Sequence, residues 1–291
     1  MPTHTLFLTP EMEGKSIRSI ALSFIGMSSG QFKRAKFQGS ITLDGVRVTA
    51  DVRAKAGQTL VLFVPEASNT QPKAMAIPLS ILYEDEWFWA IDKTAPMPSA
   101  PSVNRDTPTL ENALFAHLGE PEQFLYRPVN RLDKGTSGLM LVAKDAHAQY
   151  LLQQMLHTDA FIREYLAVVD GCLPQEEGVI TAPIAKADGA TVRREVRQDG
   201  KEARTFYRVI QKGERSLVRL RLDTGRTHQI RVHMAHMGCP VTGDFLYGTE
   251  LPQELPGRFA LHSAMIRLKH PITGEWLELE SDLSPELKKL L

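Results

Sequence analysis

Arg127-Pro128-Val129-Asn130-Arg131-Leu132-Asp133-Lys134-Gly135-Thr136-Ser137-Gly138 is a polar, turn-forming run that feeds directly into Leu139-Met140-Leu141-Val142-Ala143. A short apolar run bounded by turn residues reads as a buried strand. A loop held by such a strand is a usual place for a functional group. An Asp there serves equally well to satisfy backbone N–H groups of a turn. From this segment alone that plainer reading is at least as good.

Working outward, Asp145 is placed to cap a helix carrying Leu151, Leu152, Met155 and Leu156. Upstream, Trp87-Phe88-Trp89-Ala90-Ile91 predicts a strand, and 109–118 a short helix. Downstream, Tyr165-Leu166-Ala167-Val168-Val169 reads as a strand that Gly171 ends, and 217–222 alternates Leu with Arg like a half-buried strand. From Thr227 onward, Ile230, Met234 and Met237 line one helical face up to Gly238. This order is not a regular βαβ series. It predicts an α+β fold with a mixed, largely antiparallel central sheet and flanking helices.

Residues 1–65 read as a separate small α/β module. Ser16 to Leu22 has helical spacing. Gly30 to Phe37 is a basic helix carrying Lys33, Arg34 and Lys36. Gly39 to Val48 is a strand, an Asp44-Gly45 turn and a strand, and 59–64 is a further strand. The composition of 66–77 marks a linker, which leaves 78–291 as the main domain.

The 291 residues are 43% hydrophobic and 23% charged, enough for a full core. A formal net charge of zero argues weakly against a nucleic-acid partner. The charge is unevenly spread, however. Basic residues crowd 33–55 and 193–204, while acidic ones gather at 84–86, 176–177 and the C-terminal stretch. Such patches suit RNA, although charge runs are more often simply solvated. Cys172 and Cys239 form no CxxC pair, so neither a zinc ribbon nor a disulfide framework is implied. No signal-peptide pattern or membrane-length apolar run stands out, and a cytoplasmic monomer is expected.

Two further segments carry chemistry. In Gly225-Arg226-Thr227-His228-Gln229-Ile230-Arg231-Val232-His233, Arg226 is expected at the start of a helix and Arg231 one turn inside it. A mid-helix cation can pair with a loop carboxylate and keep it ionised. Both arginines could equally be surface salt-bridge partners. His228, His233 and His236 lack an H-E-x-x-H pattern and any Cys or carboxylate at ligand spacing, so packing or RNA contact outranks metal. The other segment is Arg163-Glu164-Tyr165 at the start of a strand. There Tyr165 alone would be ordinary core packing. Phosphate loops, dinucleotide fingerprints and nucleophile elbows are absent, so hydride transfer and NTP hydrolysis have no support.

Taken in order, Arg131 to Leu139, Arg163 to Tyr165 and Gly225 to His233 resemble the RluA family of RNA pseudouridine synthases. Ile81 to Glu86, Gly200 to Thr205, Gly238 to Gly248, Leu261-His262-Ser263 and His270 to Glu275 add matches in the same order. The resemblance spans roughly residues 78–285. The N-terminal module is similar to the small RNA-binding module of the S-four type. The family implies a mixed antiparallel sheet crossed by a cleft. By resemblance, Asp133 is the essential carboxylate, Tyr165 the tyrosine that stacks on the target base, and Arg231 the arginine that pairs with the aspartate. Arg131 fills the gap left by the displaced nucleotide, and Leu261 packs against the base. Arg226, His228, Lys33, Arg34 and Lys36 are candidate RNA contacts. Asn130 stands where the family usually has His, and Asp92-Lys93-Thr94 where it has Asn-Lys-Pro.

The implied reaction turns uridine into pseudouridine. No electrons or groups come from outside, so neither cofactor nor metal is expected. The expected partner is RNA, large-subunit ribosomal RNA first and transfer RNA second. The rivals are a non-catalytic RNA-binding protein on the same fold and a hydrolase using Asp133 with a histidine.

Overall fold

The computed structural model describes residues 3–27, 29–65, 71–101 and 107–291. The chain divides into two compact units, Met1–Thr70 and Gln71–Leu291. Of the linker expected over 66–77, residues 66–70 lie outside the described residues.

In the first unit, β1 (Thr3–Phe7), α1 (Ile17–Ser23), α2 (Ser29–Phe37), β2 (Ser40–Leu43), β3 (Val46–Arg47) and β4 (Thr59–Phe63) follow in order. The strands form an antiparallel sheet in the order β1-β4-β2-β3. Ser16 caps α1 by accepting from Ser19 N–H. The Asp44-Gly45 turn joins β2 to β3 with positive φ at both residues, as a tight hairpin requires. Leu8, Ile17, Ile20, Ile41, Leu60 and Leu62 fill the core.

The second unit contains β5 (Ser80–Glu84), β6 (Phe88–Lys93), α3 (Leu110–His117), β7 (Ser137–Ala143), α4 (Ala146–Met155) and β8 (Phe161–Asp170). It continues with β9 (Glu177–Ile180), β10 (Ile184–Lys186), β11 (Arg194–Val196), β12 (Thr205–Gln211), β13 (Arg215–Leu222), α5 (Gln229–His236), β14 (Leu261–Lys269), β15 (Trp276–Glu280) and α6 (Pro285–Lys288). A nine-stranded sheet runs β5-β6-β7-β14-β8-β13-β12-β9, with β15 also paired to β14. Its pairings are antiparallel except β7 with β14. This is the α+β, largely antiparallel fold that the sequence predicts. A separate hairpin, β10–β11, stands off the sheet.

The apolar run 139–143 is continuous because β7 is covered on both faces. Leu139, Leu141 and Ala143 join one cluster with Phe88, Phe161 and Leu152, while Met140 and Val142 join the other with Tyr165 and Ile230. The period of two divides the strand cleanly. Each fully buried Leu contributes about 1.5–3 kcal/mol. Gly138, second in the strand, holds φ +101, and a Cβ there would collide with the Ser263 backbone. That close approach lets the parallel partner β14 sit beside the loop that carries Asp133. Asp145 caps α4 by accepting from His147 and Ala148 N–H. Thr109 and Asn112 form a capping box on α3. Helix α5 begins at Gln229, three residues later than the expected start; Arg226 lies in the turn before it.

Candidate active site

Four elements meet at one open cleft of about 430 Å³. The loop before β7 brings Asn130, Arg131 and Asp133, β8 brings Arg163 and Tyr165, α5 and the turn before it bring Arg226, His228 and Arg231, and the start of β14 brings Leu261. Seven of the ten residues singled out in the sequence therefore share one cleft. Lys33, Arg34 and Lys36 lie on α2 of the other unit.

The Asp133 loop is pinned from several sides. Thr136 N–H donates to Asp133 O and Met97 N–H to Lys134 O. The Ser99 hydroxyl bridges Leu132 O and Leu132 N–H. Asn130 is buried, and its Oδ1 accepts from Leu141 N–H at 2.8 Å. At this family departure, then, the side chain ties the loop to β7. Its buried Nδ2 has no partner among the described residues.

Helix α5 is stapled at its first turn. Gln229 accepts from Thr224 Oγ1 and Arg226 N–H, and donates to Arg204 O and Thr205 Oγ1. His233, fully buried, sits between Thr205 Oγ1 and Ala182 O at 2.9 Å each. Ala182 O can only accept, so Nε2 carries the proton and Nδ1 accepts from the threonine. His233 is an anchor, and among the described residues no three His, Cys, Asp or Glu gather as a metal site.

Arg231 is the hub. Its Nη1 donates to Asp133 Oδ2 at 3.0 Å across 98 positions of sequence. Its Nε and Nη2 form a fork on Asp244 at 2.6 and 2.8 Å. Asp244 is fully buried and also accepts from Leu246 and Tyr247 N–H. The guanidinium lies 4.1 Å from the Phe259 ring centroid, 5.1 Å from that of Tyr247 and 5.6 Å from that of Phe245. Burial alone would lower the Arg231 pKa; the hydrogen bonds and charge of Asp244, then Asp133, outweigh it and raise it. The cation is thus fixed, and one carboxylate neutralises it before Asp133 is counted. A Cβ at Gly135 would strike the Phe259 ring, so this glycine is what allows that ring its place against Arg231.

His228 lies beside the pair, its Nε2 3.8 Å from Asp133 Oδ2. It holds the left-handed conformation at φ 59, which costs a non-glycine residue about 1–2 kcal/mol. Its Nδ1 is 2.8 Å from the Tyr247 hydroxyl, which itself accepts from Arg194 N–H at 2.8 Å. Burial lowers the His228 pKa against the opposing charge of Asp133. Tyr165 is buried, and burial pushes its phenol up. Lys93, also buried, donates to Thr94 O and Met97 O behind the loop; burial and then the charge of Arg258 bring it to about 7.

Sequence reading missed Asp244, Tyr247 and Arg163 as members of this cluster. In the matching segment 238–248 Asp244 is the sole acid, and that is the signal the sequence offers for it. Arg163, buried on the same strand face as Tyr165, donates from Nη2 to Leu156 O at the end of α4.

Comparisons with known proteins place the chain among its relatives. Residues 88–236 match the family model described as RNA pseudouridylate synthase. The ribosomal large subunit pseudouridine synthase D of Nitrosomonas europaea is 38% identical over 90% of this chain and 80% of its own. An uncharacterized RNA pseudouridine synthase of Bacillus subtilis, YjbO, is 36% identical over 92% of this chain and 95% of its own. Among solved structures, human RNA pseudouridylate synthase domain containing 1 superposes with a TM-score of 0.59 at 25% identity, over 72% of this chain and 85% of that one. The cleft that joins Asp133 to Arg231 belongs to an enzyme that isomerises uridine in RNA: the chain is a member of the RNA pseudouridylate synthase family.

Proposed function

We propose that the substrate is large-subunit ribosomal RNA and that Asp133 is the carboxylate acting at the sugar–base bond. The target is supported by relatives named for the large ribosomal subunit, at 34–38% identity. The observation that carries the catalytic assignment is the state of the Asp133 carboxylate. Arg231 holds Oδ2, while Oδ1 has no hydrogen-bond partner among the described residues and the side chain is 30% exposed at the cleft. A carboxylate held on one oxygen and open on the other can approach an anomeric carbon.

The reaction breaks the bond from the sugar to the base nitrogen, turns the base over and joins the sugar to the base carbon. Asp133 can stabilise charge at the anomeric carbon or bond to it, or remove the neighbouring sugar proton on a glycal route. Tyr165, a neutral phenol that burial shifts further up from its ordinary value, presents a ring and a donor to the base. A stacked base is out of reach, so the nucleotide must be extruded at a cost of a few kcal/mol. Exposed Arg131 occupies the vacancy, Arg226 meets phosphate, and Leu261 packs on the base. In the first unit, Lys33, Arg34 and Lys36 on α2, with the exposed ring of Phe37 beside Lys36, offer charge and a stacking face to RNA in the manner of an S-four-type module.

The test is tritium release from RNA carrying uridine labelled at carbon 5, since the new bond displaces that hydrogen. Release from a large-subunit transcript is expected. Release from transfer RNA alone would move the target, and release from neither would reject the reading.

A further inference from the structure

A three-member relay runs into the site from the β10–β11 hairpin. Arg194 N–H can only donate, so the Tyr247 oxygen accepts it at 2.8 Å. The hydroxyl has one proton to give, and His228 Nδ1 lies 2.8 Å away. In the opposite arrangement His228 Nδ1–H would donate, and the tyrosine proton would have no acceptor among the described residues. His233, one turn along the same helix, shows the same arrangement, with a hydroxyl on Nδ1 and the N–H on Nε2.

We propose that Tyr247 is a positioning residue for uridine isomerisation: it locks His228 in the Nε2–H tautomer, so that a neutral donor faces the Asp133 carboxylate. The inference rests on Asp133 being the reacting group. The left-handed backbone of His228 aims the ring, and Tyr247 orients its proton. At 3.8 Å the N–H is too far from Oδ2 for a hydrogen bond. The distance can close when the carboxylate moves toward the sugar, as such bonds do in reacting complexes. Neutrality matters because Arg231, itself paired with Asp244, already holds Asp133 Oδ2. A second cation would over-stabilise the free carboxylate and blunt its attack. The charged groups facing His228 are Asp133, Arg231, Asp244 and Arg194, with Tyr247 on Nδ1. Protonation at Nδ1 would cost the tyrosine its acceptor, so the network and burial act in the same direction.

The experiment compares wild type, Tyr247→Phe and Asp133→Asn in the full chain, by single-turnover isomerisation across pH. Tyr247→Phe removes the donor and stops opposing protonation. Its rate should fall about five- to ten-fold at neutral pH, its acid limb should move to higher pH, and RNA affinity should stay within about two-fold. Side-chain nitrogen NMR of the wild-type protein reads the tautomer directly, even if the variant folds poorly. An Nε2–H signal for His228 is expected, and an Nδ1–H signal overturns the proposal. An inactive Asp133→Asn beside a Tyr247→Phe with wild-type rate and pH profile sinks this inference alone. An Asp133→Asn that keeps its activity removes the underlying reading and this inference with it.

Discussion

Asp133 and Asp85 are two carboxylates of one unit, each beside a basic side chain, and they differ in how completely their oxygens are used. Asp85 Oδ1 accepts from Trp87 and Phe88 N–H at 2.7 and 2.9 Å. Its Oδ2 accepts from His270 Nε2 at 2.7 Å and Tyr83 Oη at 2.9 Å. The His270 ring in turn accepts from Ile272 and Thr273 N–H on Nδ1. Every group in that corner is saturated, and the result fastens the turn after β14 to the turn after β5. Asp133 bonds one guanidinium nitrogen and otherwise opens to the cleft. Saturation makes a fastener, whereas an under-satisfied carboxylate retains capacity for a substrate.

The largest effect on folding should come from Asp244, the buried partner that makes the Asp133 arrangement possible. Asp244→Asn leaves Arg231 buried without its fork, and a loss of about 3–5 kcal/mol is expected in urea unfolding. A variant as stable as wild type would show that Arg231 does not depend on Asp244. Asp85→Asn is expected to cost less, about 1–3 kcal/mol, because with Oδ1 kept on Trp87 and Phe88 N–H the amide nitrogen in place of Oδ2 accepts from neither His270 nor Tyr83. Its rate per folded molecule should match wild type; a large rate loss would erase the contrast between the two corners.

The pH dependence sharpens that contrast. Burial disfavours ionised Asp85, but hydrogen bonds from Phe88, His270, Trp87 and Tyr83 outweigh it and lower its pKa. Its contribution is therefore complete above the ordinary carboxylate range, near about 4, and is lost as pH falls through the lower folded value. The stability gap between wild type and Asp85→Asn should narrow below about pH 4. A gap that stays constant to pH 3 would remove the carboxylate from that account. The smallest effect concerns the first unit. Replacing Lys33, Arg34 and Lys36 with Ala should flatten the salt dependence of RNA binding by up to about three charges, with little change in the rate of bound RNA.

Much of this was legible in the chain. The loop-to-strand stretch 127–143 announced a buried strand with a polar loop before it, and three separated segments announced residues that meet in one cleft. Caps at Asp145 and Thr109 were readable because capping is local. The rest is long-range. Asp244 sits in a stretch without periodicity, and only the folded chain places it under Arg231. The parallel pairing of β7 with β14 joins positions 125 apart, His262 with Ser137. The left-handed His228 is not singled out locally, since the turn formers Asp223 and Gly225 precede it by several residues and Thr227 and Gln229 flank it directly. Asn130, which stands where the family usually has His, is a loop anchor, because its acceptor faces a strand N–H that sequence does not reveal.

The most direct test of the central claim measures three properties of Asp133→Asn: single-turnover isomerisation, RNA affinity and urea midpoint. The account predicts a rate loss of more than about a thousand-fold, affinity within about three-fold of wild type, and a midpoint equal to or slightly above it. Retention of full isomerisation by the amide would contradict it.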